Sequence, residues 1–211
     1  MSDISEFLGR VLADGVQRTN RYRCKLDVGP LGLSEYDNAA KLLREGMLCR
    51  TTSTPTRQME TTTVDLSGGY EEKYAIGTQY TDLDCTFLCP LIDGKTEVLS
   101  LFHRWQNLIQ DHREGGDMVL AFPKSYRLEQ GLTLELLSQK GDREEIFAPK
   151  KLDSEAIFNS GVINQPATTA SFQYYDVYPL SIAGTTVDWA MMDEMMEVAV
   201  TFSFTHWRQV S

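Results

Sequence analysis

Period-two alternation recurs along this chain and is cleanest in EVAVTFSFTHW, Glu197–Trp207. Val198, Val200, Phe202, Phe204 and His206 fall on one side; Ala199, Thr201, Ser203 and Thr205 fall on the other. Successive strand side chains point to opposite faces, so this segment needs an apolar core on one side and accepts water on the other. It predicts a half-buried strand closing an antiparallel sheet. Further strands are expected at Arg21–Val28, in MLCRTTSTP and RQMETTTVDLSGG, in GTQYTDLDCTFLCPL, in MVLAFP and LTLELLSQ, and in ASFQYYDVYPLSI, which Pro179 should stop.

Helical spacing is rarer. Thr96–Glu114 places Val98, Leu101, Phe102, Trp105, Leu108, Ile109 and His112 on one stripe, with Gly115-Gly116 to end it. Ser2–Val16 carries Ile4, Phe7, Leu8, Val11 and Leu12 behind Asp3 and Glu6, which resemble a capping box. Such a short helix docks on its own domain or on a neighbouring copy. GPLGLSEYDNAAKLLREG reads as a loop with a turn or two of helix around Asn38–Arg44, and Gly141–Pro166 loses all period. The expected fold is mainly β: an antiparallel sandwich or small barrel with one flanking α-helix, a short N-terminal helix and α+β elaborations in loops. Residues 1–20 are expected to form a helical arm, and 21–211 a single sandwich domain with an inserted loop near 141–166.

Charge and motifs exclude much. No apolar run approaches the ~18 residues of a membrane span, and no secretory signal opens the sequence, which favours folding in a cytoplasm. Thirty acidic against twenty basic residues give a net charge of −10, unsuited to gripping nucleic acid though compatible with a surface that nucleic acid only passes. Cys85 and Cys89 lie about 13 Å apart along a strand, too far for one metal ion or a disulfide. Buried free thiols are therefore expected; Cys24 and Cys49, on separate strands, are able to meet. His103, His112 and His206 suit structural places, and neither H-E-x-x-H, G-x-S-x-G, a Walker loop nor G-x-G-x-x-G occurs. No catalytic residue, cofactor or metal is expected, and an enzyme or small-molecule carrier on a similar barrel is the remote alternative.

The order and spacing of several segments do carry a signal. VLADGVQRTNRYRCKLDV resembles the helix, turn and first strand that open tail tube proteins of contractile-tailed bacteriophages. GTQYTDLDCTFLC is similar to the family's strand before its helix, and LFHRWQNLI to that helix, with Trp105 at the recurrent tryptophan. YDVYPLSIAGTTVDWAMMDEMMEVAVTFSFTHW resembles the family's C-terminal signature. The resemblance implies a structural virion protein: hexameric rings stacked into a hollow tube, within which strands of neighbouring subunits join in one barrel around a DNA-conducting lumen. It implies self-association, sheath, baseplate and neck or terminator proteins as partners, tape measure protein and DNA in the lumen, assembly in the host cytoplasm and no membrane. Longer relatives include baseplate tube initiators, and tubes of contractile injection or secretion devices are a further alternative.

On that resemblance the lumen-facing candidates are Thr61, Thr63, Asp65, Asp84, Thr201, Ser203 and Thr205, each otherwise an ordinary solvated position. Phe102, Trp105, Phe202 and Phe204 are expected to pack helix and core. Six copies would carry a formal charge of roughly −60 per ring (six times −10), repelling phosphate wherever the excess reaches the lumen. Ring-to-ring contacts are expected in LGLSEYDNAAKLLREG and GDREEIFAPKKLDSEAIF.

Overall fold

The computed structural model describes residues 17–66, 69–112, 118–138, 168–185 and 195–210. The N-terminal arm up to residue 16, the whole expected 141–166 insertion with its ring-contact candidate GDREEIFAPKKLDSEAIF, and the 186–194 connection lie outside them.

Alternation builds two four-stranded sheets. One orders β1 (Tyr22–Leu26), β8 (Leu132–Leu137), β9 (Thr168–Tyr175) and β12 (His206–Val210). The other orders β10 (Tyr178–Ile182), β11 (Glu197–Ser203), β5 (Leu83–Leu88) and β2 (Cys49–Thr52). β11 pairs antiparallel with β5, placing Val198 opposite Phe87, Val200 opposite Cys85 and Phe202 opposite Leu83. All six are buried, so one parity of each strand faces the core, and the fold is a β-sandwich.

A helix closes that core. Val98, Leu101, Phe102 and Trp105 recur at helical spacing in α2 (Glu97–Ile109) and are fully buried. Phe87 lies 5.2 Å from Phe102 between ring centroids, and Phe202 lies 6.1 Å from Trp105. Trp105 Nε1–H donates to the Tyr126 carbonyl at 2.8 Å, so the one polar atom of this ring is satisfied at the short helix α3 (Pro123–Tyr126). A shorter helix, α1 (Asp37–Glu45), buries Ala39, Ala40 and Leu43 and ends at Gly46 in the left-handed region (φ 73°). Part of the mixed-charge segment expected at ring contacts is thus a folded helix.

Four expectations are corrected. The long helix stops at Ile109, not near Gly115, because Gln110–His112 (β6) leaves the helical ladder to pair with Met118–Leu120 (β7). Pro179 does not stop a strand. The chain turns earlier, at Asp176 (φ 57°), and Pro179 sits inside β10, an edge strand with a register shift after it, where a missing N–H is tolerated. Gly77–Gln79 belongs not with the Leu83 strand but to β4 (Tyr70–Gln79), which pairs with β3 (Gln58–Leu66). The closing stretch is two strands in two sheets: β11 ends at Ser203 and β12 begins at His206.

The chain divides into two compact units. The larger, Cys24–Leu134 with Phe172–Gln209, holds the core above. The smaller is Met1–Arg23, Glu135–Ser171 and Val210–Ser211. In its described part the Leu137 N–H donates to Arg21 O at 2.9 Å, and the Gln17 side-chain amide donates to Leu137 O at 3.1 Å.

Candidate functional site

The parity that buries Val198, Val200 and Phe202 turns Ala199, Thr201 and Ser203 outward. Across the β11–β5 pair their neighbours are Thr86 opposite Ala199 and Asp84 opposite Thr201, and Thr201 Oγ1 donates to Asp84 Oδ1 at 2.6 Å. This outer face is made of small residues, hydroxyls and the Asp84 carboxylate, with Glu197 opposite Leu88 at its end. Asp84 and Ala199 are exposed, and Thr201 and Ser203 are half-buried. At the rim the Arg50 guanidinium pairs with Glu197.

Thr205 leaves this face, because the strand bends there. Its N–H donates to Tyr175 O at 3.0 Å and its side chain is exposed. Phe204, half-buried rather than a full core residue, stands edge-on to Tyr174 with ring centroids 4.9 Å apart. His206 stacks on Tyr175 at 4.5 Å, so the bend hands the chain to the other sheet through aromatic contacts.

Thr61, Thr63 and Asp65 lie on a different feature, the β3–β4 hairpin. β3 and β4 form a two-stranded sheet of their own, and their described side chains are exposed on both faces apart from half-buried Gly77. Register separates the faces. Thr61, Thr63 and Asp65 stand opposite Ala75, Lys73 and Glu71; Thr62, Val64 and Leu66 stand opposite Tyr74, Glu72 and Tyr70. One face is therefore polar, while the other carries Val64, Tyr70 and Tyr74. Ile76 is the extra residue of a bulge between the Glu60–Gly77 and Thr61–Ala75 pairs, and it is 66% exposed. The base is tied down: the Thr56 and Thr81 hydroxyls hydrogen-bond, and Trp207 Nε1–H donates to Thr56 O at 3.4 Å.

A two-stranded hairpin alone is marginal in water, and these exposed apolar side chains add a cost to leaving it uncovered. Among the described residues no further strand pairs with either outer edge of the hairpin, and such open edges are a template for strand addition. The arrangement suits assembly rather than catalysis. A cleft of about 760 Å³ lies beside Asp27, Pro123, Arg127 and Asp176. Its Asp27 carboxylate already accepts from Arg44 at 2.9 Å and from the Gly29 N–H at 3.0 Å, so that acid is engaged structurally.

The cysteines are arranged as spacing along the chain does not reveal. Cys24 on β1, Cys49 on β2 and Cys85 on β5 bring their sulfurs within 4.8 Å of one another. Hydrogen bonds from the Cys24 and Cys49 thiols, with one from Thr52, hold Cys85 below the ordinary thiol range against its burial. Cys24 is raised by its hydrogen bonds to Cys49 and Cys85 and by burial. For Cys49 the neighbouring Cys24 favours the thiolate, but Cys85 and burial outweigh it and push the thiol up; its Sγ lies 3.4 Å from the Thr51 carbonyl, which accepts from it. Tyr174 is fully buried and its hydroxyl has no hydrogen-bond partner. Burial, then the neighbouring Cys24 and Cys85, push its phenol well above the usual range. An orphaned hydroxyl of this kind costs about 1–3 kcal/mol.

A family model described as phage tail tube protein matches residues 17–210. Among solved structures, the chain superposes on one from an extracellular contractile injection system, the PVC sheath-tube complex in its extended state. There the TM-score is 0.52 at 12% identity, covering 96% of this chain and 97% of that one. It also superposes on one from the anti-feeding prophage cap, described as a tube terminating cap, with TM-score 0.52 at 13% identity over 93% and 91% of the two chains. At these identities the likeness is one of fold. No curated protein matches the sequence.

Proposed function

Because this chain belongs to the phage tail tube protein family, we propose that its copies close into six-membered rings that stack as the inner tube of a contractile tail. The observation that carries this reading is the β3–β4 hairpin, polar on one face, apolar on the other and open along both edges. In a ring, the edge of one hairpin pairs with strands of the next copy and its Val64–Tyr74 face is covered, while Thr61, Thr63 and Asp65 line the channel. The outer face of β11 and β5, with Asp84, Thr201 and Ser203, continues that lining; Thr205 marks its rim. On the hairpin Lys73 shares that face with Asp65 and Glu71, so hydroxyls and an excess of carboxylate offer phosphate little to hold, and DNA and a tape measure protein pass without adhering. Sheath protein surrounds the tube, baseplate and neck or terminator proteins hold its ends, and the assembly belongs to the virion after building in the host cytoplasm.

The likeness to a tube terminating cap supports a second reading, a single ring at one end of the tube. Copy number per particle separates the two: many rings for the tube, one for an end.

Because Thr56 and Thr81 meet at the hairpin base, a short Gly-Ser link can replace Gln58–Gln79 without straining the body. Electron microscopy should find stacked six-fold rings for the intact chain and only folded monomers for this variant. Rings formed without the hairpin would remove it from the assembly mechanism, and an intact chain that stays monomeric at high concentration and on a tail platform would defeat the tube reading itself.

A further inference from the structure

Cys24 comes from one sheet of the sandwich, Cys49 and Cys85 from the other, and their three sulfurs lie within 4.8 Å of one another. We infer that they form a trithiolate site for one thiophilic d10 cation, Zn2+ or Cu+, placed in the core where the sheets meet. A zinc ion bonded to sulfur at about 2.3 Å holds its ligand sulfurs about 3.8 Å apart, within the span seen here. Soft thiolates select these two ions over hard cations, and Cu+ accepts three sulfurs without a fourth ligand.

The surroundings favour an ion over a disulfide. A disulfide would join two sulfurs and strand the third. It would also give no role to the two hydroxyls that stand in this otherwise apolar place. Thr52 Oγ1 is 3.2 Å from Cys85 Sγ, and the buried Tyr174 hydroxyl is unpartnered within electrostatic reach of Cys24 and Cys85. Three thiolates leave a net charge of −1 around Zn2+ and −2 around Cu+ (three negative charges less two or one). Two O–H donors beside the sulfurs are what such an excess requires. On binding, thiol protons leave to solvent and no redox partner is needed. The half-buried Cys49 gives the ion a way in at the β2 edge.

The test uses the full chain, reduced and handled without oxygen. Co2+ serves as the spectroscopic stand-in for Zn2+, and Cu+ is added in competition with bicinchoninate. One equivalent of either ion per chain should bind, with thiolate-to-cobalt charge-transfer absorption in the first arm. The half-buried Cys49 should lose its reactivity toward a thiol reagent as the ion binds. Cys89→Ala, outside the cluster, should keep this stoichiometry, and Cys49→Ala, at the least buried ligand, should abolish it. Tyr174→Phe should fold normally and weaken binding about tenfold, as loss of an outer-shell donor does. Failure of both ions to bind the intact chain above the level of Cys49→Ala overturns the proposal, whether the thiols then remain free or pair as a disulfide.

Discussion

Trp105 holds helix, sheet and loop together through one side chain. Its ring is fully buried against Phe202, and its N–H is spent on the Tyr126 carbonyl at 2.8 Å. Trp105→Ala should therefore cost about 3–5 kcal/mol through the cavity it leaves. Trp105→Phe should cost less in volume but leave a carbonyl unpaired, about 1–3 kcal/mol. Urea midpoints with unchanged m-values measure both; equal losses would show that the hydrogen bond alone matters and the ring's packing adds nothing. Residues of this kind are legible in sequence because a helical stripe and a strand parity each fix a direction. Phe102, Trp105 and Phe202 are where period places them. Phe204 is half-buried because the bend after Ser203 breaks the parity that assigned it. The sulfur cluster is legible only in part: Cys24 and Cys49 meet as separate strands allow, but Cys85 joins them through pairing between distant strands that its spacing from Cys89 does not show.

At the scale of elements, the hairpin shows what alternation cannot reveal. β4 reads YEEKYAIGTQ, interrupts its few apolar residues with charge, and buries no face within its own subunit, so no core-facing period announces it. Its partner β3 was visible only through β-branched threonines. In the proposed assembly the hairpin is covered by another copy, and such an element hides its logic in a sequence read one chain at a time. Charges placed on its apolar face should therefore act on assembly, not on folding. Val64→Lys with Tyr74→Lys should leave monomer stability within about 0.5 kcal/mol of the parent, since both positions are exposed, while abolishing rings. Sedimentation velocity with parallel denaturation curves tests this. Rings that persist with both lysines in place would show that this face meets only water.

At the scale of the whole molecule, a formal charge of −10 opposes the association proposed for the hairpin. Screening weakens this repulsion within a Debye length of about 8 Å at physiological ionic strength, so ring stacking should strengthen as salt rises toward that range. The same excess gives the sharpest test of where the polar faces look. Asp65→Lys with Asp84→Lys changes each chain by +4 (two changes of +2), taking a six-copy ring from roughly −60 to roughly −36. The global charge stays negative, so general attraction of DNA to the particle remains unfavourable. If both faces line the channel, however, the new lysines form local rings of positive charge where DNA must pass. Tubes of this variant assembled with short duplexes should then retain DNA that nuclease cannot reach, and release it as salt rises, because each phosphate contact returns condensed counterions. Parent tubes should retain none. DNA bound by the variant but fully open to nuclease would place these side chains on the sheath side instead, and the polar faces would be outer surface rather than conduit.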